Sequence, residues 1–304
     1  MKEPNLITIR VWGDYACFTR PEMKVERVSY PICTPSAARG ILEAIYWEPQ
    51  MYYVIDSIHV IKKGRWFNFR RNEVTAIVSL KEAQSCMMGR TPVKYISAGG
   101  GAPDAAQRNM LALMDVEYLI TADVRPSKLH DATRFNLKKY LGEIERRATK
   151  GKCCHRPALG CREFAADFEW VSDLQTTLET RAADVRANQN DKDWRKIWPE
   201  EDLGLMLYDV FDVDQRKEGF RWFTEEELER ARPDKESEEM KTPKSKKKKL
   251  SNSSFPLFEG KTITPRASFF HAKIEESRMD CHPDRVNILP PRGKEVLDVS
   301  SSFI

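Results

Sequence analysis

Ile7, Ile9 and Val11 alternate with Thr8, Arg10 and Trp12, a period of two that predicts a strand with one buried face. At Thr34 the period changes. Thr34 offers an N-cap, Pro35 suits the first helical position, and Ala38, Ile41, Leu42 and Ile45 fall at i, i+3, i+4 and i+7, so residues 35–47 read as an amphipathic helix. Tyr52–Ile61 and Val74–Leu80 are rich in β-branched and aromatic residues, are bounded by Gly64 and polar turns, and read as the second and third strands. Val116–Val124 alternates again until Arg125-Pro126 ends it. A second helix is expected from about Asn136 to Lys150, because Leu137, Tyr140, Leu141, Ile144 and Ala148 share a face and Gly151 is placed to terminate it. Strands alternating with two helices suit an α+β sandwich with helices on one sheet face.

After Asp167 the pattern weakens. Leu203–Val213 and Ser268–Ile274 read as strands of a small antiparallel β extension. Between them, Thr224 and Glu227 match a capping box for a short helix over Glu225–Arg232. Asp234–Lys249 has no apolar repeat and ends in a lysine run, a composition expected to form a mobile insertion. The expected division is a main domain at 1–172, the extension at 173–214 plus 265–290, the insertion at 215–264 and a tail at 291–304.

With 304 residues, 41% of them hydrophobic, the chain can bury one large core or two modest ones. No run approaches the ~20 apolar residues of a membrane span, and Met1–Arg10 lacks the features of a signal peptide, so a cytoplasmic protein is expected. Seven cysteines, two of them adjacent, do not make a secreted disulfide framework, and reduced thiols are expected. The net charge of +4 says little, but its distribution says more. Arg125–Glu163 carries eleven lysines and arginines against four carboxylates, which suits either a phosphate-binding footprint or a solvated helix face.

Several side chains could do chemistry. Arg39, Glu43 and Tyr46 are spaced i, i+4 and i+7, which puts them on the face opposite the apolar stripe, so Tyr46 need not be core. Lys139 shares a polar face with Glu143 and Arg146, where it can act on a substrate or pair with Glu143. Cys153, Cys154, His155 and Cys161 are metal-ligand types, but adjacent cysteines without a CxxC pair make a poor tetrahedral site, and neither a metal nor a cofactor is expected. Arg156 and Arg162 better suit phosphate contacts. Trp12, Tyr15 and Phe18 can stack on unpaired bases or pack in the core.

Trp12–Phe18 and Gly151–Phe164 resemble the CRISPR-associated protein five of type I-C systems (the Dvulg subtype), an RNA-cutting branch of the repeat-associated superfamily. Arg71–Val74, Gln107-Arg108 followed by Leu111–Ile120, and Asp202–Asp209 agree in order, so that the resemblance covers roughly residues 5–213 and resumes at 268–274. It implies a ferredoxin-like (RRM-like) domain and a metal-independent endoribonuclease. That enzyme would cut CRISPR precursor RNA at the 3′ base of its repeat hairpin by 2′-OH attack, leaving a 2′,3′-cyclic phosphate and a 5′-OH. It would then hold the guide's 5′ handle within the type I-C interference (Cascade) complex of a prokaryote, contacting the backbone and large subunits and, through the complex, target DNA.

By the same resemblance Tyr46, within Glu43–Trp47, and Lys139, within an Asn-x-x-Lys-His pattern, are catalytic, and Tyr140 stands where the family often has histidine. His155, in the basic segment just after that helix, is the candidate substitute for proton transfer, with a structural or phosphate-contacting role as its alternative. The expected RNA contacts are Arg39, Arg70, Arg71, Arg108, Arg146, Arg147, Lys152, Arg156 and Arg162. Tyr140 in place of histidine keeps open a non-cutting, handle-binding scaffold, and a general single-strand RNA binder is a third reading.

Overall fold

The computed structural model describes residues 5–77, 79–92, 95–97, 99–127, 137–188, 200–210 and 267–289. β1 (Leu6–Ala16) keeps the alternation of its sequence, burying Ile7, Ile9 and Val11. β2 (Arg27–Val28) is a two-residue strand, and both lie along one edge of the later, longer β5 (Ala105–Pro126), β1 antiparallel and β2 parallel. Its other edge takes β3 (Met51–Lys62) and β4 (Arg65–Val74), which form one antiparallel run bent at Gly64. Gly64 has φ +83°, and a Cβ there would stand 2.7 Å from Val116 Cγ1 and 2.9 Å from the Met114 carbonyl oxygen, so only glycine keeps the strands paired through the bend.

α1 (Pro35–Ile45) starts as its sequence predicts, with the Thr34 hydroxyl accepting from the Ala37 N–H at 3.2 Å and Pro35 in the first turn. The stretch read as the third strand is corrected. β4 ends at Val74, and Leu80–Met87 is a helix, α2. Ser79 caps it by accepting from the Glu82 N–H, the start of an Ser-x-x-Glu box that outweighs the β-branched residues before it. α3 (Leu137–Thr149) stops at Gly151, whose φ of +61° lets the Lys152 N–H reach back to the Arg147 carbonyl at 2.9 Å.

α1 and α3 bury their apolar faces on one side of the sheet, where Ile41, Leu42 and Ile144 meet Ile9, Tyr53, Tyr118 and Ile120. Truncating such an anchor as Ile41 to alanine costs ~2–5 kcal/mol. β6 (Asp167–Trp170) pairs with the free edge of β1. α4 (Leu174–Asn188) covers part of the opposite sheet face, with Leu174 and Leu178 against Ile61 and Leu119. It is also tied by ions, since Arg181 and Arg10 both donate to the buried Glu117 carboxylate at 2.7 Å.

β7 (Glu201–Asp209) pairs with β8 (Ser268–Glu275), which turns through Glu276 and Ser277, both at positive φ, into β9 (Arg278–Asp280). β9 pairs with Ser57–His59 of β3, and β10 (Ile288–Leu289) pairs with β8. The C-terminal strands therefore join the same sheet, in the path β10–β8–β9–β3–β5–β1–β6, and Met206, Phe270 and Ile274 share its core. β7 stops four residues before the expected Val213. The expected helix at 225–232, the insertion at 215–264, the tail at 291–304 and Asn136 lie outside the described residues. Among the described residues no helix is long and apolar enough to cross a membrane.

Candidate functional site

The two segments that carry the resemblance touch. The Cys17 N–H donates to the Leu159 carbonyl at 2.9 Å, and a Cβ on Gly13 would stand 2.6 Å from Leu159 Cδ1. Gly160, at φ +85°, sits so close that a Cβ would lie 2.0 Å from the Cys17 carbonyl oxygen. Cys161 is buried beneath this contact, where Arg27 Nη1 donates to its Sγ at 2.9 Å. Its hydrogen bond with the Cys17 thiol, helped by the Arg27 charge, holds the Cys161 thiol below its ordinary range and pushes that of Cys17 up. Cys161 is thus committed inward, away from Cys154, which is exposed with Arg147 Nη1 donating to its Sγ at 3.2 Å.

The same loop straps the end of α1. A helix leaves its last carbonyls without partners of its own, and here the N–H groups of Cys154 and His155 donate to the Ala44 carbonyl at 2.9 and 3.0 Å. Tyr46 follows as the C-cap with extended backbone, and its carbonyl accepts from the Tyr53 hydroxyl at 2.6 Å. Its side chain does not lie on an open polar face, as the helical spacing predicts. The helix stops at Ile45, so Tyr46 leaves the helical phase and is 7% exposed. The Tyr140 ring lies 6.3 Å from it, and the Arg147 guanidinium carbon 5.0 Å from its centroid.

Burial, followed by Glu48, Tyr140 and Glu143, pushes the Tyr46 phenol up to about 12 against the opposing pull of Arg147. In this setting the phenol keeps its proton, which suits it to donate a hydrogen bond or a proton rather than to act as a base. Glu48 is a contributor that its position after the helix gave no reason to single out.

Along α3, Glu143 accepts from Arg146 at 2.6 Å and from Arg147 at 2.7 Å, and these two bonds hold its carboxyl down at about 2. Lys139 is exposed and directly precedes Tyr140, which is half-buried and packs against the main core as its place in the apolar stripe predicts. Lys152 is exposed just beyond the end of α3. His155, Arg156 and Arg162 line a groove of about 930 Å³ between α1 and the 155–162 loop, floored by Gly40 and Ala44. Arg156 also pairs with Asp167 at 2.6 Å, with both groups exposed.

Arg39 is elsewhere. Its guanidinium is buried and donates to both carboxylate oxygens of Asp209, at 2.8 and 3.1 Å, and to Glu43 at 2.6 Å. This corrects its expected place on an open RNA-facing surface, because Asp209, brought in by β7, turns it inward as a brace. Arg70 is exposed on the outer face of β4, while Arg71 donates to Glu73 at 2.5 Å and is bonded to Glu163, opposite Arg108 in register. Glu163, four residues before β6 begins, thereby links the β4–β5 arm to the loop. Of the three aromatics, Phe18 is core, edge-on to Tyr118, and Trp12 lies beneath the Arg10 guanidinium. Tyr15, 37% exposed and beside Phe67 and Phe164, presents the open ring.

The family model and the curated relatives point to one family. The family model Cas_Cas5d, described as CRISPR-associated protein (Cas_Cas5), matches residues 6–256. The chain is 40% identical over 207 residues to the CRISPR pre-crRNA endoribonuclease Cas5d of Mannheimia succiniciproducens, covering 68% of this chain and 85% of that protein. It is 45% identical over 162 residues to the protein of the same name from Thermus thermophilus, covering 53% of this chain and 62% of that one. A solved structure described as a CRISPR-associated protein aligns over 69% of this chain and 82% of its own, with 21% identity and a TM-score of 0.43. Matched over most of its described length by the family model, the chain belongs to the Cas5d family of CRISPR-associated proteins.

Proposed function

We propose that this chain is an endoribonuclease that cuts CRISPR precursor RNA at the 3′ base of its repeat hairpin and retains the 5′ handle of the product. The observation that carries the reading is the seating of Tyr46 between Tyr140 and Arg147, at the point where the 151–164 loop is strapped to α1. Two relatives bearing the name pre-crRNA endoribonuclease support it. The order β6–β1–β5–β3, with α1 after β1 and α3 after β5, supports a ferredoxin-like scaffold.

In this mechanism the 2′-oxygen attacks phosphorus, the bond to the 5′-oxygen breaks, and no metal takes part. Tyr46, protonated, donates to the departing 5′-oxygen or to a phosphoryl oxygen, and Lys139 offsets the charge that builds on phosphorus. His155, exposed beside the strap, accepts the proton of the 2′-OH, while Tyr140 packs against Tyr46 and orients it. Arg146, Arg147, Lys152, Arg156 and Arg162 take backbone phosphates, with Arg70, Arg71 and Arg108 extending that surface along the β4–β5 arm. After cutting, the protein joins the backbone and large subunits of a type I-C interference complex in a prokaryotic cytoplasm and reaches target DNA through it.

A non-cutting scaffold is the second reading, favoured by the burial of Tyr46 and by the core packing of Tyr140. The purified chain incubated with its own repeat RNA in excess chelator separates the two. The nuclease reading expects a 2′,3′-cyclic phosphate and a 5′-OH at one repeat position, whereas intact RNA bound without cutting leaves the scaffold.

A further inference from the structure

Gly40 sits in the middle of α1, where glycine is less favourable than alanine because it gives up more backbone freedom. Neither usual reason for a glycine applies. The position is helical rather than left-handed, and a Cβ built on it meets no heavy atom within 4 Å. What the missing side chain leaves is the open floor of the groove of about 930 Å³, a volume within the ~300–1,000 Å³ of ligand pockets. The opposite wall carries Arg156, Arg162 and His155, and among the described residues none that lines the groove bears a carboxylate. Phosphates are favoured along that wall, and the exposed Arg156–Asp167 pair is weak enough to open to one. The groove is also continuous with the site already described, since its floor residue Ala44 and its wall residue His155 are joined by the strap bond of 3.0 Å, two residues before Tyr46.

We infer that this groove holds an unpaired ribonucleotide segment, with its phosphates on Arg156 and Arg162 and a base over Gly40, the position that sets the room available. That the segment adjoins the phosphate cut beside Tyr46 rests on the proposed nuclease reading. That the strand is RNA rests on the proposed RNA-binding role, whether or not the chain cuts.

The test is Gly40→Leu in the full chain, with Gly142→Leu as a matched control. Gly142 is also helical with nothing within 4 Å of a built Cβ, but it lies on α3 and does not line the groove. Fluorescence anisotropy is read with labelled oligouridine, with oligodeoxythymidine, and with the repeat hairpin carrying or lacking unpaired flanks, alongside thermal melting. Both variants should melt at or above the temperature of the unmodified chain. Gly40→Leu should bind oligouridine about tenfold or more weakly and lose the affinity that flanks add to the hairpin, while Gly142→Leu keeps both.

Unchanged oligouridine affinity in a folded Gly40→Leu overturns the inference. Oligodeoxythymidine bound as tightly as oligouridine, and weakened equally by Gly40→Leu, overturns the assignment to RNA. If the unmodified chain never cuts repeat RNA yet Gly40→Leu still costs oligouridine affinity, the nuclease reading fails and the groove stands.

Discussion

The Arg147 guanidinium lies over the ring of Tyr46, its central carbon 5.0 Å from the centroid, while its Nε is held by Glu143. A cation over an aromatic face is an attraction in itself. Here the same carboxylate that positions the cation also helps keep the phenol protonated.

Tyr46→Phe removes only a hydroxyl and leaves the ring contacts in place. Cutting of repeat RNA in single-turnover assays should fall by about 10²-fold or more, as for loss of a positioned proton donor, with hairpin affinity within a few-fold of the unmodified chain. Near-normal cutting by this variant removes Tyr46 from the mechanism.

Arg39 and Asp209 form a buried pair that fastens α1 to β7. Removing one partner leaves a buried charge, so Arg39→Ala should destabilise by ~3–5 kcal/mol in urea unfolding. The double variant Arg39→Met with Asp209→Leu should recover much of that loss, and its RNA affinity should match that of the unmodified chain. A loss of RNA affinity in the stable double variant would return Arg39 to the RNA-binding surface.

At Gly160 a methyl group would meet the Cys17 carbonyl at 2.0 Å with the backbone at φ +85°, whereas at Gly151 (φ +61°) it meets nothing within 4 Å. Gly151→Ala should therefore cost only the ~1–2 kcal/mol of a left-handed residue. Gly160→Ala should cost clearly more and weaken RNA binding as the loop lifts from β1. Equal melting temperatures for the two variants contradict this account of the contact.

His59 is buried on β3, with its Nδ1 lacking a hydrogen-bond partner among the described residues. Burial, then the Arg278 charge, lowers its pKa from 6.5 to about 4, only partly opposed by Asp56. The unfolded chain therefore takes up the proton first, so the stability contributed by neutral His59 is present above pH 6.5 and is lost as pH falls toward 4. His59→Leu should flatten that window by an amount on the order of 1–3 kcal/mol, read as urea midpoints across it. An unchanged pH slope assigns the acid sensitivity to other groups.

What the sequence made legible follows from period and punctuation. Thr34-Pro35, the apolar face of α3 and Gly151 each act within a few residues, and each stands where local chemistry puts it. α4 was not legible, because it has no continuous apolar stripe and is held largely by Arg181 reaching Glu117, a partner 64 residues away. The environment of Tyr46 was not legible either. One residue beyond the helix, spacing ceases to say which way a side chain turns, and the partners that decide its chemistry come from α3 and Glu48. Arg39 misled for a related reason, since helical phase cannot reveal that a carboxylate on β7 will cover it.

The entry of β7, β8 and β9 into the central sheet also bears on how the chain is made. Residues up to 188 supply both helical layers, yet the edge of β3 is closed by β9, and the brace on Arg39 arrives only with Asp209. During synthesis the N-terminal part emerges first. The β3 edge at Ser57–His59 then waits, unpaired, until residues 278–280 leave the ribosome. Pairings so distant in sequence are slow to form, so this edge stays open to other strands for longer than any locally closed pairing of the fold.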